Sequence, residues 1–223
     1  MRLRQSAAQA RRLLPVVIGG KVAIMLVGVA FLVATLLFLC FAGGGDPSET
    51  IQSTMVIPAM LVVTLGCAEV VASLRATGEL ELAVTLASPA RVILHRFAPV
   101  MTLALVQLLV VGVALAFLLP VWQVAIGWAY SLLPLALATA TTLYWSLRLH
   151  GVGAVLGATL AMLVPATFWI ANAHLFPNSE NMMTAGQAAL SALRCQLGLL
   201  LATVALAALA RRRLQRTEGL LDE

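Results

Sequence analysis

Apolar positions along this chain come in long unbroken blocks. They do not alternate with a period of two, and they are not confined to one stripe of a helix. A bilayer-crossing helix needs about 20 mostly apolar residues. Six blocks reach that length: Val22–Ala42, Gln52–Ala72, Phe97–Leu119, Val124–Leu147, Val152–Leu175 and Gln187–Ala210. Their continuity argues against the alternating strands of a membrane barrel. The expected fold is an all-α integral membrane protein with six transmembrane helices over residues 22–210. A basic segment precedes it (1–21) and a basic tail follows (211–223).

Composition narrows the class further. The 223 residues are 61% hydrophobic and 10% charged, against about 45–50% and 25% in an average soluble domain. No soluble fold of this size hides so much apolar surface. The net charge of +5 is not read as a sign of nucleic acid, because the basic residues have another use. With six spans, Arg2, Arg4, Arg11, Arg12, Lys21, Arg75, Arg91, Arg96, Arg148, Arg211, Arg212, Arg213 and Arg216 share one face, 13 of the 14 basic residues. The positive-inside rule makes that face, and both termini, cytoplasmic in an inner membrane. Asp46, Glu49 and Glu180 fall in the opposite loops.

Arg194 is the exception, inside the sixth block. A charge at mid-membrane costs about 2.5 kcal/mol or more. One reading is a snorkelling or paired charge. The favoured one is a short outer re-entrant or interfacial helix over Met182–Leu193, with the span starting near Arg194. At the other end of the chain, "RLRQSAAQARRLLP" has Leu3, Ala7, Ala10 and Leu14 at helical spacing, the pattern of a basic amphipathic helix lying on lipid. The first apolar block has no small-residue cleavage site and is expected to stay in the mature protein.

Chemistry of the usual kinds is missing. There is no G-x-x-x-x-G-K-[ST] phosphate loop and no H-E-x-x-H zinc motif. The stretch "AGGGDPSE" reads as an outer turn. Cys40, Cys67 and Cys195 are far apart and read as small apolar fillers, with a Cys40–Cys195 disulfide left open. His95, His150 and His174 are scattered. Within the spans the polar residues Thr64, Gln107, Thr139, Thr141, Thr142, Thr159 and Asn172 are uncharged. They either line a path or bond between helices, the second being the default. Gly153 and Gly157 form a G-x-x-x-G seam that lets another backbone approach, within the chain or in a dimer. Pro58, Pro99, Pro134 and Pro165 mark places where a span can bend.

One polar island interrupts the pattern: "SLRATGELELAVTLASPARVILHR", residues 73–96, the longest loop on the basic side. Thr77 can cap a short helix with Glu79 and Glu81 in its first turn, where the helix dipole favours anions. Leu80, Val84 and Ala87 share a face, with Leu82 and Leu86 beside it. The helix should stop before Pro89. Ser88–Pro89 is itself a start signal, serine as cap and proline as first helical residue. A second helix then runs through Arg91 and Arg96 into the third span. The leucine face needs a cover, either lipid or a groove on a partner protein.

This block resembles the loop between spans two and three in permeases of the type-2 ABC exporter superfamily. Gly78, Leu80, Glu81, Leu82, Leu86, Ser88, Pro89 and Arg96 fit that family's pattern. Glu79 replaces a usual threonine, Arg96 a frequent lysine, and Arg75 alone stands for an upstream charged cluster. The resemblance implies that two permeases pair, as a homodimer or a related heterodimer, and that each docks an ABC ATPase subunit through a coupling helix at residues 73–96. Glu81 would belong to that contact. ATP and Mg would then be bound by the partner ATPase, with no cofactor on this chain and no enzyme activity of its own. The haem exporter permeases of cytochrome c maturation are a similar branch. An ion-coupled carrier and a non-transporting membrane scaffold are the alternatives from other classes.

Overall fold

The computed structural model describes residues 47–76, 89–149, 153, 156–162, 175–176 and 184–215. Among them there is no strand. The named elements among the described residues are α1 (Pro47–Ile51), a π turn (Gln52–Val56), α2 (Ile57–Ala76), α3 (Pro89–Leu115), α4 (Val121–Ser146) and α5 (Ala185–Gln215). Residues 156–162 are also helical. The expected N-terminal helix (1–21), the first span (22–42) and most of the fifth lie outside the described residues.

Elements α1, π and α2 form one continuous rod. Four helices among the described residues are long and apolar enough to cross a membrane: Pro47–Arg75, Ile93–Leu115, Val121–Ser146 and Ala185–Leu214. They pack as a row, α5 on α4, α4 on the rod, the rod on α3. The rod is central, with 72% of its apolar window buried against 17% for α5. Lipid is as apolar as leucine, so close approach rather than escape from water has to hold such helices together. Glycines permit it. A Cβ on Gly66 would lie 2.6 Å from Val100 Cγ1, and one on Gly127 would run into Ile51 Cγ2. Met55, Val124 and Trp128 close around Gly112, joining three helices at one point.

Pro58 and Pro134 each change the backbone bonding of the helix that carries them. Pro58 has no N–H, and its ring crowds the carbonyl four residues back. The rod widens just before it into the π turn, where Ile57 N–H bonds Gln52 O, five residues back. Proline is a recognised cause of such departures from α geometry. Hydroxyls tie the approach to this turn: Ser53 Oγ donates to Glu49 O (2.8 Å) and Thr54 Oγ1 to Thr50 O (2.6 Å). Pro134, inside α4, likewise leaves Tyr130 O without its α-helical donor. Gln196 Nε2 on α5 donates to that carbonyl at 3.2 Å.

Three expectations need correction. The second span starts at Pro47, not Gln52, so Pro47–Glu49 of the supposed outer turn are helical. Proline in the first turn and an acid near the positive helix end favour that start. Ser48 Oγ adds a tie by accepting Leu175 N–H (3.1 Å) and Phe176 N–H (3.3 Å). The third span ends at Leu115, not Leu119, and Pro120 disfavours helix at Leu119 itself. Residues 116–119 form a turn in which Leu118 N–H and Leu119 N–H both bond Leu115 O. Finally, the helix through Arg194 is unbroken from Ala185 to Gln215. No separate re-entrant helix ends at Leu193, and Arg211–Arg213 continue the helix into what reads as a tail. Thr184 caps it, with Gln187 N–H donating to Thr184 Oγ1 (3.3 Å) and Thr184 N–H to Gln187 Oε1 (3.0 Å). This is a reciprocal capping box.

Candidate functional site

The ends of α2, α4 and α5 meet at one end of the row, and arginines hold them together. An α-helix leaves its last four carbonyls without intrahelical donors and carries partial negative charge there. At the end of α4 the carbonyl of its capping residue Leu147, and that of Leu149 in the turn just beyond, are claimed by cations from neighbouring helices. Arg213 Nε of α5 donates to Leu147 O at 3.1 Å. Arg75 Nη1, from the last turn of α2, donates to Leu149 O at 3.3 Å. Leu147 itself is fully buried. Arg148 turns back on its own helix, donating to Tyr144 OH at 2.8 Å and lying 5.4 Å from that ring's centre.

The same end carries Arg211 and Arg212, both exposed, and the start of α3 with Arg96. Glu69, also exposed, stands six residues before Arg75 on α2. At the opposite end are Glu49 and Thr184. The fold therefore gathers charges that are dispersed along the sequence onto one surface.

The polar island leaves and re-enters the bundle at this surface. Arg75 lies at its stem, bonded to the α4 terminus. Pro89 is the first residue of α3, at the position the Ser-Pro step predicts. Gly78, Glu79, Leu80, Glu81, Leu82, Leu86 and Ser88 lie outside the described residues. Arg96 is half-buried two turns into α3, and His95 beside it is exposed. Gly157 is turned towards its own chain: a Cβ there would meet Leu149 Cδ1 at 3.0 Å and Trp145 Cε3 at 3.3 Å. A Cβ on Gly153 would meet Leu149 Cβ at 3.8 Å. The glycine seam thus packs beside the carbonyls that Arg75 and Arg213 hold.

The polar residues inside the spans divide into two groups. Thr139 and Thr142 bond back to Leu135 O and Ala138 O, and Thr139 also reaches Met101 Sδ at 3.3 Å. Gln107 and Thr141 are buried with no hydrogen-bond partner among the described residues. No group of three or more histidine, cysteine, aspartate or glutamate side chains able to hold a metal occurs among the described residues. Cys67 and Cys195 are free and buried, and Cys40 lies outside the described residues. Sequence reasoning missed Gln196 and Arg213 as bridging residues. Their signals were present as a polar side chain facing a proline-containing helix and a cation near a helix C-terminus.

The fold and its arginine-rich end define an all-helical bundle with membrane-spanning character. Comparison of the chain with protein families, with characterised proteins and with solved structures finds no match.

Proposed function

We propose that this chain is the membrane-spanning permease subunit of an ATP-binding cassette exporter. It would sit in the cytoplasmic membrane with six spans and both termini inside, paired with a second permease chain. ATP and Mg would be handled by a separate ATPase subunit docked against residues 73–96. The observation that carries this reading is the placement of the polar island's two ends. Its stem arginine is fastened to the end of α4, which Arg213 of α5 also holds, and its exit is the first turn of α3. A push on this loop would therefore reach α2, α3, α4 and α5 together. The residue order within the loop, acids, leucine face, Ser-Pro step and arginine, supplies the resemblance to a coupling helix. The arginine-rich end is cytoplasmic in this reading, by the positive-inside rule.

Purification in mild detergent tests it. The chain should bring down an ATPase subunit in about equal amount, and Glu81→Arg or Leu82→Asp should abolish that recovery while leaving the permease itself folded. Isolation of the chain without an ATPase would count against the proposal, as would normal recovery in both variants.

A further inference from the structure

Helix α5 is too long for the bilayer it would cross. Its 31 residues extend about 46 Å at 1.5 Å per residue, against about 30 Å of hydrocarbon. Roughly 16 Å of helix must lie outside the hydrocarbon. Arg211–Arg213 mark one boundary. Counting back, Arg194 lies about 26 Å away along the same axis, close to the thickness of the hydrocarbon layer.

The register across the bundle puts Arg194 at the same level independently. Gln196 meets Tyr130 and Arg213 meets Leu147, an offset of 66 residues in both cases. Arg194 therefore stands level with Trp128 of α4. Trp128 packs beside Gly112 of α3, and α3 ends one turn later at Leu115. Beyond that level, Phe117, Leu118, Val121 and Trp122 are 87%, 63%, 69% and 54% exposed. Such an apolar, tryptophan-bearing collar suits the membrane interface rather than water. Arg194 is exposed on α5 and makes no hydrogen bond or ion pair among the described residues.

We infer that Arg194 is a ligand for the phosphate of membrane phospholipids, in the leaflet opposite the arginine-rich end. Its guanidinium matches a phosphate oxygen pair, and its aliphatic stem can lie along the apolar helix while the head reaches the interface. Residues 185–193, with the Thr184 cap, then project through the headgroup layer. Only a bilayer-crossing α5 is required for this, whether or not the chain is a transport subunit.

Spin labels at Leu190 and Leu201, in the full chain with its three cysteines replaced by alanine, test it after reconstitution in phosphatidylcholine and phosphatidylglycerol. Leu190 should be reached by a water-soluble relaxant, and Leu201 by oxygen in the hydrocarbon. Arg194→Leu should draw position 190 inward by about one helical turn, ~5 Å, whereas Arg194→Lys should not. A bilayer of phosphate-free galactolipid should reproduce the inward shift with Arg194 intact. A label at 190 already in the hydrocarbon would overturn the inference. No movement on Arg194→Leu, or no dependence on lipid phosphate, would overturn it too, the last pointing to a carboxylate of the protein as the partner.

Discussion

Gly127→Ala is expected to destabilise the bundle by about 1–3 kcal/mol, while Gly198→Ala is expected to be neutral or slightly stabilising. Both glycines lie inside helices, where alanine is intrinsically favoured by up to about 1 kcal/mol. What separates them is space. A methyl on Gly127 collides with Ile51 Cγ2, and Ile51 is fully buried. Isoleucine is branched at Cβ and stiff about χ1, so it has little freedom to swing away, and the helices must separate. Since this contact joins α4 to the central rod, the loss falls on the whole row. Around Gly198 nothing lies within 4 Å of the added carbon, so only the propensity gain remains. Thermal unfolding of the two variants in detergent, followed by size exclusion, distinguishes them. Equal melting temperatures would mean that Gly127 is not a point of close approach.

Gln196→Leu is expected to cost about 1–2 kcal/mol, most of it from Tyr130 O losing its donor inside the bundle. The donor is needed because Pro134 cannot supply one. It follows that the cost depends on the proline. In a Pro134→Ala background the new backbone N–H can bond Tyr130 O, so the same Gln196→Leu change should cost less by about 1 kcal/mol. A double-mutant cycle on reversible unfolding measures this coupling directly. Additive effects would show that Gln196 contributes by packing alone. The pairing also bears on how α5 is held. Most of its surface faces outward, and along the face that packs on α4 it is tied by Gln196 in the middle and Arg213 at the end.

What can be read in the sequence follows from what is local. The Ser88–Pro89 start of α3 is written in two adjacent residues, and the gathering of arginines at one end follows from counting charges between apolar blocks. The capping box Thr184-x-x-Gln187 is equally local, but the charge of Arg194 masks it. A charge in an apolar block suggests a break, yet a helix long enough to overshoot the bilayer can keep the charge at its edge without one. Pro58 announces a bend, but not that the helix resolves it as a π turn, since bonds five residues apart leave no periodic trace. Close contacts such as Gly127 with Ile51, and bridges such as Arg75 to Leu149 O, depend on which helices become neighbours. Hydropathy alone does not specify that. Arg75 illustrates the limit well. In the sequence it reads as part of a docking loop, and its visible role is to fasten that loop's stem to the end of α4.

In the proposed exporter, residues 77–88 receive work from an ATPase. A photo-crosslinking amino acid placed at Leu82 in native membranes tests it most directly. A single major adduct is expected with a separate chain that binds ATP, lost when Glu81 is replaced by arginine. Adducts with lipid alone, or with proteins that bind no nucleotide, would contradict it.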